Sequence, residues 1–253
     1  MNVSPSTVIK GIFALQLVIG AALVAGDMNA GLPTWSAQPR APQLDQPVRP
    51  GDQTRRFQPQ QLPDAPNRPF PPTADMPTRL MLSDAEFDGR KVVRMVGTIA
   101  PGDGERVAPL LAERFNADDA PDALLLHSPG GSVGDGLVLG RAVRDLGIAT
   151  EIAPGDLCLS ACPYLFAGGA SRTVQPGGSL GVHQHYFGEN IVQPAFLAVE
   201  DIQRGQGQVL AYLAEMGLDL RLMEHALMTP PQSIYIFVTE ELERYGIVTP
   251  PEG

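Results

Sequence analysis

The sequence predicts an α/β domain with parallel strand pairs, carried behind an N-terminal hydrophobic helix and a disordered linker. Three observations predict it. From Arg79 onward, apolar runs of strand length alternate with amphipathic runs of helix length. Glycines follow directly on a strand of the fully buried kind in HSPGGSVGDG, residues 127–136. A sharp change of composition separates this part from everything before it. Strand and helix periods that alternate in this way describe parallel strands joined by right-handed crossovers.

The N-terminus reads as an address. After Lys10, the run GIFALQLVIGAALVAG (11–26) has no charge, and Gln16 is its one strongly polar residue. It suits a signal-peptide core or a short signal anchor, and extension back through Val8 and Ile9 reaches a marginal spanning length. Val24-Ala25-Gly26 before Asp27 is a loose cleavage site and not A-x-A, so an uncleaved anchor over residues 1–27 is expected ahead of a cleaved signal. Its lysine side stays in the cytoplasm. Both readings place the rest of the chain in the periplasm or outside the cell. Residues 28–78 are dominated by Pro and Gln without periodicity, which describes a disordered or polyproline-like spacer; a Pro-rich ligand for another domain is the alternative.

Residues 79–253 are long enough for a single core. KVVRMVGTIA (91–100) reads as a strand, GERVAPLLAERF (104–115) as a helix and DALLLHS (122–128) as a buried strand. LVLGRAVRDLG (137–147) follows as a helix, IATEIA (148–153) as a strand and SACPYLFAGG (160–169) as a helix closed by glycine. SLGVHQH (179–185) is a strand, 196–217 a long helix, and 233–249 reads strand, helix, strand. In that last helix Thr239 is the expected cap and Gly246 the stop.

Charge narrows the partners. The chain holds 18 Lys and Arg against 28 Asp and Glu, which argues against nucleic acid or an anionic membrane surface as the main partner. Lys10 and Lys91 are the only lysines. Neither G-x-G-x-x-G nor a P-loop is present, so the glycines of HSPGGSVGDG point to an oxyanion-binding nest rather than a nucleotide site. Ser160 sits where a strand gives way to a helix, with the Ala161 N–H directed at whatever its hydroxyl attacks; the plainer reading is a helix N-cap. His183, at the end of an apolar strand, is the usual type of base for such a serine. His185 shares its face, yet no third ligand has zinc-type spacing, so neither a metal nor another cofactor is expected.

The ordered set SPGGSV, a serine in a strand-to-helix turn, V-H-Q, a long helix and T-E-E-L-E-R-Y-G-I-V resembles the Clp protease proteolytic-subunit family within the ClpP/crotonase fold. It is most similar to the extracytoplasmic ClpP-like serine peptidases with a C-x-S-A-C signature. The resemblance covers residues 92–249. It implies a domain of repeated ββα units in a spiral, Ser160 as nucleophile, His183 as general base, and the N–H groups of Gly131 (with Gly130 beside it) and Ala161 as the oxyanion hole. The family's aspartate falls near Thr229–Gln232, where this chain has none: no Asp or Glu lies between Glu224 and Glu240. A Ser–Lys mechanism of the same fold has only Lys91 to draw on, at the opening of the first strand.

Outside the cytoplasm the default for Cys158 and Cys162, the only cysteines, is a disulfide around Ser160; two reduced, buried cysteines are the alternative. The expectation is a membrane-anchored, ATP-independent serine endopeptidase-like protein acting on peptides or unfolded protein. Homo-oligomerisation through the 196–217 helix is a further expectation. The rivals are a catalytically inactive binding or scaffold protein of the same fold and an acyl-CoA enzyme of the crotonase type.

Overall fold

The computed structural model describes residues 5–30, 76–184, 195–231 and 233–250. Contacts divide the chain into two units, 1–40 and 41–253. In the first, Pro5–Ala30 form one helix, α1, whose Ile12, Phe13, Leu15, Leu17 and Val18 are exposed. Among the described residues no helix is long and apolar enough to cross a membrane. Most of the expected linker, residues 31–75, lies outside the described residues.

The second unit opens with a hairpin the sequence reading did not contain. β1 (Met81–Phe87) pairs antiparallel with β2 (Arg90–Val96). Asp88 and Gly89 turn the chain with φ of 50° and 73°, the handedness that a two-residue hairpin requires. The strand expected over 91–100 stops at Val96. A Cβ on Gly97 would lie 2.3 Å from the Arg79 carbonyl oxygen, so only glycine lets residues 77–79 cross the chain here. Helix α2 (Asp103–Phe115) then leads to β3 (Ala123–His127), which is buried throughout. Leu124 and Leu126 enter the main core while Ala123 and Leu125 enter a smaller cluster on the other face, as a central parallel strand must.

Helix α3 (Val133–Asp145) begins four residues ahead of expectation because Ser132 caps it, its hydroxyl accepting from the Asp135 N–H. β4 (Thr150–Ile152), β5 (Leu157–Leu159), α4 (Cys162–Ala167), β6 (Arg172–Val174) and β7 (Ser179–Val182) follow. Helix α5 (Ala195–Glu215) matches the expected long helix; α6 (Leu222–Met228) is new, and β8 (Tyr235–Ile236) and α7 (Thr239–Arg244) close the order. Thr239 is not the cap of α7 but its first residue. Val238 caps it, with the Glu241 carboxylate accepting from the Val238 N–H. Gly246 follows that helix at φ 62°, while the third strand of the 233–249 reading does not form.

The strands make two sheets. One runs β1-β2-β3-β4-β6, parallel except at the β1 edge; the other runs β5-β7-β8, with β5 and β7 parallel. Cys158 and Ser128 form an isolated parallel bridge between them. The molecule is thus an α/β protein of parallel and antiparallel strands.

One buried carboxylate fixes the loop that precedes α2. Asp103 is fully buried and accepts from the Leu80 and Ala100 N–H groups and from the guanidinium groups of Arg79 and Arg106. Burial pushes its pKa up, but these donors outweigh it and hold the carboxyl at about 2. Because the folded value lies below the ordinary 3.8, this stabilisation is complete above about pH 4 and is lost as pH falls through 2. Asp103→Ala removes six hydrogen bonds in one place and leaves the buried Leu80 N–H unmet, while the partly exposed Arg79 and Arg106 turn to water. Urea denaturation at pH 7 should show a loss of about 1–3 kcal/mol, and that difference from the parent should shrink between pH 4 and pH 2.

Candidate active site

Ser160 stands between β5 and α4 with φ 62°, a left-handed conformation that a serine adopts at a cost of about 1–2 kcal/mol. The surroundings impose it. The Ser160 N–H donates to Gly181 O on β7 at 2.9 Å, while two residues to either side the chain is closed on itself by the Cys158–Cys162 disulfide. Both cysteines are fully buried. Ser160 is not the N-cap of α4, since Ala161 holds that position. A five-residue loop with a left-handed centre turns the hydroxyl out of the strand direction, and Ser160 remains partly exposed.

His183 follows the last residue of β7, and its Nε2 lies 2.7 Å from Ser160 Oγ. Parallel pairing of β5 with β7, in the register Leu159 to Gly181, brings these residues to one end of the sheet from 23 positions apart. The imidazole nitrogen is placed to accept the hydroxyl proton. His185 lies outside the described residues. Among the described residues no group of three or more His, Cys, Asp or Glu is arranged to hold a metal ion.

The glycine turn closes the third side. A Cβ on Gly130 would lie 2.5 Å from Ser160 Cβ and 2.8 Å from Ala161 N, so the turn and the serine loop touch backbone to backbone. Gly131 bridges Ile99 in parallel fashion: Ile99 N–H donates to Gly130 O and Ser132 N–H donates to Ile99 O, each at 2.8 Å. That pattern uses the groups on either side of Gly131 and directs its own N–H away from Ile99. Ser160, Ala161, His183, Gly130 and Gly131 therefore form one cluster at the closing ends of β3, β5 and β7. Lys91 is elsewhere, at the opening of β2, paired with Asp119.

The segment where an orienting acid was sought also reaches the site. Gln184 N–H donates to Thr229 O at 2.9 Å, and Gln184 Nε2 donates to Leu227 O at 2.7 Å. This places the C-terminal end of α6 beside the residue after His183. The Thr229 hydroxyl is turned back onto His225 O, and residues 225–239 contain no carboxylate. A cavity of about 1000 Å³ opens elsewhere, between β6 and the β8–α7 segment, and neither Ser160 nor His183 lines it.

Sequence reasoning missed the buried group beneath this cluster. His127 lies on β3, Arg94 on β2 and Asp156 in the turn between β4 and β5, and no local spacing connects them. Asp156 accepts two hydrogen bonds from Arg94 at 2.8 and 3.0 Å and lies 3.2 Å from His127 Nδ1.

No family model matches the chain, and no curated protein matches it.

The glycine turn yields a paired test. Gly130→Ala puts a methyl group against the serine loop at a φ of 97° and should cost about 1–3 kcal/mol in urea denaturation. Gly134→Ala, in an exposed helical position with nothing within 4 Å of the added carbon, should be neutral or stabilising by up to about 1 kcal/mol.

Proposed function

We propose that residues 79–253 are a serine peptidase-like domain of the ClpP/crotonase fold, with its repeated ββα spiral, and that the protein cleaves peptide bonds through Ser160 and His183. The observation that carries this reading is the 2.7 Å contact between Ser160 Oγ and His183 Nε2 at a serine held in a left-handed turn. Strain at a polar residue beside a base is the pattern of a nucleophile. A cap or a core serine needs neither feature.

In this mechanism Ser160 Oγ bonds to the peptide carbonyl carbon as its proton passes to His183 Nε2. The carbonyl oxygen becomes an oxyanion, held by the Gly131 and Ala161 N–H groups, with Gly130 giving the turn its close approach. Collapse breaks the C–N bond, and His183 returns the proton to the leaving amine. Water, deprotonated by His183, then releases the acyl group and restores the serine hydroxyl. The chain's own groups supply every step, and no ATP is required.

The setting is proposed to be extracytoplasmic, with residues 1–27 as a membrane anchor. The apolar run of α1 and the Cys158–Cys162 disulfide both favour an oxidising compartment outside the cytoplasm. Substrates are then peptides or unfolded segments, and α5 is the surface through which copies would assemble. The second reading is a non-catalytic binding protein of the same fold, favoured by the absence of any carboxylate from residues 225–239.

Labelling of the full chain with a fluorophosphonate probe separates the two. The peptidase reading expects labelling that Ser160→Ala abolishes and that His183→Ala slows by about 10²- to 10⁴-fold. A folded parent chain that does not label would make the protein a binding module.

A further inference from the structure

We propose that His127 is a positioning residue, whose ring sets the separation between the serine loop and the oxyanion turn. The inference rests on the peptidase reading and concerns how its two halves are held together. Those halves belong to different sheets. β3 delivers Ser128-Pro129-Gly130-Gly131, and β5 delivers Ser160 and Ala161. Their backbones share a short join around the Ser128–Cys158 bridge, in which Ser128 N–H donates to Leu157 O at 2.7 Å and Leu159 N–H donates to Ser128 O at 3.0 Å.

His127 extends that join by one rung made from a side chain. Its backbone belongs to the larger sheet, where His127 O accepts from the Gly97 N–H at 3.1 Å. Its ring crosses to the smaller sheet, where Nδ1 accepts from the Leu157 N–H at 3.1 Å. Leu157 opens the three-residue strand that ends one position before Ser160. The accepting role assigns Nδ1 as the nitrogen that carries no proton in this contact. Asp156 Oδ1 also lies 3.2 Å from that nitrogen, but a carboxylate has no proton to give an accepting Nδ1; Asp156 is held by Arg94 through two hydrogen bonds and not by the ring. A ring that swung away would leave Leu157 N–H unmet in the interior, and that single bond ties the height of β5 to β3.

Displacement of a reacting group by about 1 Å can cost about 100-fold in rate. The experiment compares two substitutions of similar polarity and size. Asparagine places its Oδ1 where Nδ1 was, and glutamine places its oxygen farther out, at the other ring nitrogen. Single-turnover labelling of the full chain with a fluorophosphonate is followed for the parent, His127→Asn and His127→Gln, with the thermal midpoint of each. Positioning by Nδ1 expects His127→Asn within about threefold of the parent, and His127→Gln slower by about 10- to 100-fold in the labelling step at unchanged probe affinity. Equal rates for the two variants at similar thermal midpoints would overturn the inference, since a merely polar interior accepts either. If His127→Gln does not fold, the asparagine variant decides alone: a rate more than tenfold below the parent in a folded chain overturns it. A parent chain that does not label removes the peptidase reading and this inference with it, a result distinct from either variant outcome.

Discussion

Everything at the site hangs on how two sheets are joined at one bridge. β3 and β5 meet at Ser128 and Cys158, and from that point each strand delivers one half of the cluster: the glycine turn from one, the serine loop from the other. The contact that follows is close enough to exclude a single methyl group, because a Cβ on Gly130 would fall 2.5 Å from that of Ser160. Such closeness leaves no room for the serine loop to relax into an ordinary helix entry. The left-handed φ of Ser160, the disulfide that closes its loop and the glycine at 130 are thus consequences of one geometric demand. Its direct entropic effect on the unfolded chain is small, since the loop is short; what the disulfide adds is a fixed return path around the serine.

The charges follow the same plan. Among the described residues, three of the four buried carboxylates, Asp103, Asp156 and Glu241, lie under the site's supports, while Glu151 pairs with Arg90 across the larger sheet. Asp103 ties Ala100 to the start of β1, and Ile99, one residue earlier, is the partner of Gly131. Asp156 lies under the entry to β5, held by Arg94. Glu241 joins the Tyr235 hydroxyl to the start of α7 and so binds β8, the neighbour of β7, to the C-terminal segment. Buried ion pairs are poor sources of net stability, because desolvation consumes much of their attraction. The value of Asp103 and Asp156, which are paired with arginines, and of Glu241, which is held by a hydroxyl and an N–H, is directional: each fixes a loop.

Legibility in the sequence followed length and periodicity. The run Leu124–Leu126, the α2 and α5 helices and the approach to His183 were visible because apolar residues recur there at one clear period. The hairpin strand β1 was not, since MLSDAEF is mostly exposed and alternates weakly; its signal was the Asp88-Gly89 turn. β6 and α6 are three and seven residues long, too short to show a period. Ser160 could be singled out, but its conformation could not: serine before a helix reads first as a cap, and only the contacts from Gly130 and Gly181 make the left-handed turn obligatory. The pairing of Cys158 with Cys162 was an argument from compartment that the geometry independently satisfies. The role of His127 was invisible, since Leu157, whose N–H it accepts, lies 30 residues on.

Residues 225–239 hold no carboxylate, so on the peptidase reading this segment orients the histidine through its backbone rather than through an acid. A carboxylate in a triad fixes the tautomer and the ring plane of its histidine and stabilises the imidazolium that forms. Where residues 225–239 offer no carboxylate, the same segment is instead fastened to the neighbouring residue through main-chain carbonyls: Gln184 bonds both Thr229 O and Leu227 O. A clamp of that kind holds the end of β7 against α6 and limits the directions the next ring can take. It supplies placement but no negative charge. On the peptidase reading this is the geometric share of catalysis: the left-handed serine loop and the fastened end of β7 hold Ser160 Oγ and His183 Nε2 at 2.7 Å, so the proton's path is set by backbone placement before any substrate arrives.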